Sequence, residues 1–167
     1  MYTDLKIVLY ELSVSKNFLN NKIFIQHGNT TIYEHVISVA EYSLFLVNKY
    51  NLKVDKKSLV RGALLHDYFL YDWHIPCKSH RLHGFTHART SLLNAEKEFD
   101  LTEIEKDIIV KHMFPLNLTP PKYLESWIVT YADKVVSSKE TVIGLKVKSN
   151  NVYSYLANKV IGVISWL

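Results

Sequence analysis

A chain of 167 residues with 48% hydrophobic and 22% charged residues is long enough to bury a core and too apolar to be disordered. Five glycines and four prolines disfavour a turn-rich all-β fold and suit helices. A formal charge of +4 without a Lys/Arg run suits an anionic small molecule such as a phosphate compound and argues against nucleic acid. The single cysteine, Cys77, excludes an internal disulfide and a CxxC metal site.

The first residues lack the basic-then-apolar order of a signal peptide, and no apolar run approaches the ~20 residues that span a bilayer. A cytoplasmic protein without membrane partners is the expectation. Leu5, Val8, Leu9 and Leu12 repeat at helical spacing over residues 3 to 15 and predict a packing helix, with Thr3 or Asp4 as its cap. Residues 16 to 30 are polar and rich in turn formers, and His27 within them reads as an exposed loop histidine. From Thr31 the pattern Ile32, His35, Val36, Val39, Ser43, Leu46, Val47, Tyr50 predicts a long amphipathic helix with His35 on its buried stripe. That imidazole is either a core histidine satisfied by a carbonyl or a ligand aimed inward.

Asp55 caps the next predicted helix, which runs through Leu59, Ala63, Leu64 and Leu70 and carries His66 and Asp67 toward its C-terminal part. Adjacent helical residues point about 100° apart, so one neighbour cannot satisfy both. They can flank one ion, and a carboxylate with two oxygens can bridge two; the alternative is a buried His-Asp hydrogen bond closing the helix. The segment 71 to 81 is irregular, with Tyr71 and Trp73 able to stack on a base or to cover the core.

Phe85, Ala88, Leu92, Ala95 and Phe99 predict the buried face of a further helix. His83 and His87 lie together on its other side, where they can share one ion unless one is simply solvated. Thr102 and Glu105 form a capping box, opening a helix with Ile104, Ile108 and His112 on one face that Pro115 stops. Pro120 and Pro121 open another helix. It carries one apolar stripe of Leu124, Ile128, Tyr131 and Val135 and a second of Val129, Ala132 and Val136, predicting burial on most sides. Asp133 falls within the second stripe, where it requires a salt bridge or a metal. After a polar linker through Ser149-Asn150-Asn151, a last helix over about 151–167 packs on the bundle or on a second copy in a homodimer. No β-type alternation is long enough to demand a sheet.

The series His35, His66-Asp67, His83 or His87, His112 and Asp133 resembles the HD-domain superfamily of metal-dependent phosphohydrolases over roughly Thr31 to Val136. The resemblance implies an all-α fold, a single HD-domain helical bundle with its core at about 31–136, and one or two divalent ions held by His35, His66, Asp67 and Asp133. His83-Gly84-Phe85-Thr86-His87-Ala88 resembles a family segment that puts His83 on a further ligand position and leaves His87 beside it as an outer or substrate group, with exchange of the two roles open. His112 supplies the next ligand, and this added pair resembles the dinuclear branch, which includes bacterial dinucleoside polyphosphate hydrolases. Tyr68-Phe69-Leu70 replaces the Gly-Lys often found after the His-Asp pair, and Met113-Phe114-Pro115 after His112 departs from the cyclic-dinucleotide phosphodiesterase subgroup.

The implied activity is hydrolysis of a phosphate mono- or diester, a nucleotide or related phosphorylated small molecule, with His66 and Asp67 at the catalytic centre. Two ions about 3.5–4 Å apart polarise a phosphoryl group and bring the pKa of a bridging water toward neutrality, and Asp67 is the natural bridge. Imidazole and carboxylate donors without cysteine suit iron, manganese, cobalt, nickel or zinc better than calcium or magnesium, and the resemblance implies iron or manganese among them. Lys78, Arg81 and Lys134 are the substrate-binding candidates, each otherwise a solvated charge. A catalytically silent HD-type ligand-binding or regulatory module is the alternative, and a purely structural bundle the third.

Overall fold

The computed structural model describes the backbone of residues 3–75 and 82–164, with side chains through residue 144. Among the described residues it contains seven α-helices and one two-stranded ribbon, an all-α architecture. The helices are α1 (Thr3–Leu12), α2 (Lys16–Asn20), α3 (Ile32–Lys49), α4 (Lys56–Leu65), α5 (His83–Glu98), α6 (Glu103–Lys111) and α7 (Leu124–Ile164). The ribbon pairs β1 (Ile25–His27) with β2 (Thr30–Thr31) in antiparallel register. No helix of the described residues is long and apolar enough to cross a membrane.

Local chemistry sets the helix starts. Thr31 and Glu34 form a capping box on α3, and Thr102 and Glu105 another on α6. The Asp55 carboxylate accepts the backbone N–H groups of Lys57 and Ser58 at the start of α4. Two helix starts differ from expectation. The polar stretch after α1 forms α2, capped by the Ser15 hydroxyl, and then β1 and β2, which turn at Gly28 with φ of 61°. Helix α7 begins at Leu124, beyond Pro121, because the Asp107 carboxylate takes the N–H groups of Lys122 and Tyr123 at 2.8 and 3.4 Å.

Helix α3 packs on α4 and α7, α4 on α6, and α6 on α5 and α7. Val36, Val39 and Ala40 meet Leu59, Ala63, Leu64, Ile108, Val129 and Ala132 in one buried core. Gly62 lets α6 approach α4 closely, since a Cβ there would stand 2.5 Å from Ile108 Cδ1. Helix α5 buries His87, Ala88, Ser91 and Ala95, while Phe85, expected in the core, is 56% exposed. On α7 only one face is buried: Val129, Ala132, Asp133 and Val136 lie inside, whereas Leu124 and Tyr131 are exposed. The break expected at Ser149-Asn150-Asn151 is absent, and α7 continues through it to Ile164.

Helix α4 also ends earlier than its apolar pattern suggested. Leu65 is its last residue, His66 is the C-cap, and Leu70 stands outside at φ 60°. A left-handed leucine costs about 1–2 kcal/mol, so this turn needs external support. Asn94 on α5 supplies it by donating to the carbonyls of Tyr68 and Phe69 at 3.2 and 3.1 Å. The fully buried Tyr68 ring adds a hydroxyl donated to Glu98 at 2.9 Å.

Asp107 ties three parts of the bundle together, accepting also from Ser126 Oγ at 2.7 Å and Lys111 Nζ at 2.6 Å. Burial pushes its carboxyl up, but Lys111, Ser126 and the two backbone amides outweigh burial and hold it below the ordinary value of 3.8. Its stabilisation is therefore complete above the unfolded value and lost as pH falls through the folded one. Denaturant melts of Asp107→Ala should show a loss of about 2–3 kcal/mol at pH 7, and the gap to wild type should shrink below about pH 4.

Candidate metal centre

Five segments bring one donor group each, or two, to a single buried point. Helix α3 contributes His35, the end of α4 contributes His66 and Asp67, α5 contributes His87, the C-cap of α6 contributes His112, and α7 contributes Asp133. All six are buried. Two of the histidines use the same local device: as helix C-caps, His66 and His112 each turn Nδ1 back onto the carbonyl three residues earlier, Ala63 at 2.7 Å and Ile109 at 2.8 Å. His87 Nδ1 lies 2.8 Å from the His83 carbonyl, and His35 Nδ1 lies 2.9 Å from Glu140 Oε2.

With Nδ1–H engaged outward in all four rings, each Nε2 presents a lone pair to the interior. Those lone pairs meet carboxylates and one another. His35 Nε2 is 3.2 Å and His66 Nε2 3.7 Å from Asp133 Oδ1, and the same two nitrogens are 3.8 and 3.5 Å from Asp67 Oδ2. On the other side, His87 and His112 place Nε2 3.3 and 3.5 Å from Asp67 Oδ1. The Nε2 atoms of His87 and His112 face each other at 2.9 Å, which requires a proton or a cation between them. His35 Nε2, His66 Nε2 and Asp67 Oδ1 are buried without any hydrogen-bond partner.

These orphaned atoms fit a metal ion. His35, His66 and Asp67 form one possible donor set; His66, His112 and Asp133 a second; and Asp67, His87 and His112 a third, with the donor atoms of each set within 4.8 Å of one another. Outward hydrogen bonds that fix the tautomer of each ring are the support that metal-ligating histidines ordinarily have. In the bare protein, protons take the place of the cation. Burial opposes charge on His35, but Asp133 and Glu140 overcome it and raise the ring to about 10; His66 and His87 are raised against burial by Asp67 and Asp133. Burial, reinforced by the adjacent His66 and His87, pushes His112 down to about 3. Burial pushes Asp67 and Asp133 up as well, but the facing imidazoles win and hold both well below the usual carboxylate range.

Helical register decides between the two histidines of α5. His87, not His83, brings its Nε2 into the cluster, correcting the expectation from the motif. His83 is the first residue of α5 and sits one turn farther out, its ring stacked on His87 at 4.5 Å and on Trp73 at 5.1 Å, with Nδ1 2.9 Å from the Tyr71 hydroxyl. Lys134 lines the cavity over the cluster and donates to the carbonyls of His112 and Thr130 at 3.1 and 3.4 Å. Lys78 and Arg81 lie outside the described residues.

Two outer residues were not expected. Gln26 on β1 donates its side-chain amide to Asp67 Oδ2 at 2.5 Å, and Glu140 holds His35. Glu140 carried a signal, seven residues after Asp133 on the same face of α7; Gln26 lay in a stretch that reads as loop. His27, expected to be exposed, is partly buried in β1 with its ring edge-on to His35 at 5.7 Å. The ribbon is seated close against α7, where a Cβ added at Gly28 would stand 3.0 Å from Gly144 Cα.

A helical bundle with a buried histidine-aspartate donor cluster drawn from α3 to α7 has the donors of a metal site. The HD domain model matches residues 32–137, and the chain belongs to the HD-domain superfamily of metal-dependent phosphohydrolases. No curated protein and no solved structure matches it. Gln26, His27 and Glu140 fall outside the matched residues.

Protein purified without chelator should carry about one to two equivalents of transition metal by elemental analysis, and His66→Ala should lose them. Glu140→Gln and Gln26→Ala should keep the helical circular dichroism and weaken metal affinity by about 10–100-fold in chelator competition.

Proposed function

We propose that the protein is a metal-dependent phosphohydrolase acting on a phosphate mono- or diester of a small molecule, with nucleotides as the class the family resemblance favours. The observation that carries this is the division of Asp67: Oδ2 faces His35 and His66, while Oδ1 faces His87 and His112. One carboxylate presented to two groups of nitrogen donors supports a two-ion site, with Asp133 closing the first group. Imidazole and carboxylate donors suit a first-row transition metal, and the family resemblance favours iron or manganese. Bound ions would supply Lewis acidity toward the phosphoryl oxygens and a more acidic water.

The remaining work falls to the chain. Glu140, the Ala63 and Ile109 carbonyls and the His83 carbonyl hold the imidazoles in one tautomer, so no reorganisation is needed when substrate arrives. Gln26 restrains Asp67 from turning. Lys134 has three N–H bonds, two of them engaged with carbonyls, and the third is available to a phosphate oxygen at the cavity wall. The surroundings of His66 and Asp67 thus favour a catalytic role over a merely structural one.

Turnover of p-nitrophenyl phosphate with added manganese or ferrous iron tests the proposal. Asp67→Asn should lower kcat at least 1000-fold and remove metal while leaving the thermal melt within a few degrees of wild type. A wild-type protein that bound metal yet hydrolysed no phosphate ester would instead be a catalytically silent ligand-binding module.

A further inference from the structure

The donor cluster opens into a cavity of about 1330 Å³. Asp67, His87 and Asp133 lie at one end of its lining, and the rest of the wall has a different character. Leu82 and Phe85 at the start of α5 face Met113, Pro115 and Leu116 after α6, with Ile75 and Trp73 completing the apolar part. Leu82, Phe85 and Leu116 are 61, 56 and 45% exposed. Single exposed apolar side chains need no explanation, but here several from separate segments share one opening that leads to the metal donors.

Several polar side chains of the same wall already have partners. Gln26 donates to Asp67, Ser137 to Asp133 Oδ1 at 3.1 Å, and Ser138 to the Lys134 carbonyl at 2.7 Å. Lys134 is the one Lys or Arg among the described wall residues. Among the described wall residues a second phosphate would find no Lys or Arg beyond Lys134, and the hydroxyls of a sugar would lose water against Leu82, Phe85, Met113 and Leu116. The Gln26 side-chain oxygen and the indole Nε1 of Trp73 are buried without a partner, and the indole N–H suits a single ester oxygen near the phosphate.

Building on the phosphohydrolase reading, we infer that the substrate is the monophosphate ester of an apolar alcohol or phenol, with its phosphate at the His/Asp donors and its hydrocarbon body against Leu82, Phe85, Met113 and Leu116. This narrows the phosphate esters to those whose organic part is hydrocarbon and sets nucleotides aside. In the reaction, the oxygen of water forms the new bond to phosphorus, the bond between phosphorus and the ester oxygen breaks, and a proton from water ends on the released alcohol. The products are inorganic phosphate and an apolar alcohol, neither of which needs a further co-reactant.

The test is a series of monophosphates from methyl to octyl, with 1-naphthyl phosphate, glycerol phosphate, a nucleoside monophosphate and a nucleoside triphosphate, assayed with manganese-loaded protein. Transfer of one methylene from water to an apolar wall is worth about a factor of three to four, so kcat/KM should climb by about that factor per added carbon until the cavity is filled. Naphthyl phosphate should exceed glycerol phosphate and both nucleotides by more than tenfold. Leu116→Asp, at an exposed position, should cut the octyl-to-methyl ratio by about tenfold. Equal or better turnover of the nucleotides, or a ratio that Leu116→Asp leaves unchanged, would overturn the inference. Alkyl phosphonates, which carry the same body and resist hydrolysis, separate this from the underlying reading. Affinity that rises with chain length in wild type and not in Leu116→Asp upholds the apolar subsite even if no ester is turned over, and that result would remove the hydrolase alone. Flat phosphonate affinity alongside general ester turnover would leave the hydrolase and sink the subsite.

Discussion

Four imidazoles held by outward hydrogen bonds, with two carboxylates between them, are the constraint on which the rest of this structure depends. Each Nδ1 is engaged by a carbonyl or by Glu140, so each Nε2 must face inward. An interior of nitrogen lone pairs and anionic oxygens is costly in a protein core unless positive charge enters it. In the bare protein that charge comes from protons on the rings; in the HD-domain family the natural source is a divalent metal.

The bundle is arranged to bear this cost. Apolar packing reaches the cluster: Leu65 and Ala132, adjacent to His66 and Asp133, are fully buried, as are Ala63 and Ile109, whose carbonyls hold the His66 and His112 rings. Both helices that present a histidine at their C-terminus end within one residue of it, α4 at Leu65 and α6 at Lys111. Ending the helix frees carbonyls, and the ring Nδ1 uses one of them. The chain beyond α4 is turned away by Leu70 at positive φ and fastened to α5 by Asn94. Asp67 thereby leaves the helix line and reaches both groups of histidines. In place of a Gly-Lys step, Tyr68 and Phe69 are fully buried and serve as anchors for this turn.

Function follows from the contrast between floor and walls. The floor concentrates charge and fixed dipoles in a site largely shielded from water, where such groups act strongly on a developing negative charge. One side of the wall is apolar, formed by Leu82, Phe85, Met113, Pro115 and Leu116. The donors at the floor lie within the residues matched by the HD domain model, and in the proposed reading Leu82, Phe85 and Leu116 at the cavity mouth select among esters.

Periodicity and capping residues made most helices legible: His35 on the stripe of α3, Asp55 ahead of α4, the Thr102 box and the buried Asp133 all follow from local rules that act over one or two turns. The donors His35, His66, Asp67, His112 and Asp133 were visible because a polar group on an apolar stripe stands out against its neighbours. Local rules could not choose between His83 and His87, because both lie on one helix face and only the docking of α5 on α6 decides which ring reaches Asp67. The roles of Gln26 and His27 were likewise hidden, since a short ribbon in polar sequence acquires its place only when Gly28 meets Gly144 on a helix more than a hundred residues away. Phe85 was expected inside by its spacing and lies at the cavity mouth, as the helix rotated to bury His87 instead. Sequence by itself determined which residue types would form helices and carry ligand chemistry, as those depend on neighbours along the chain; tertiary structure decided which of them meet, as that depends on how whole helices dock.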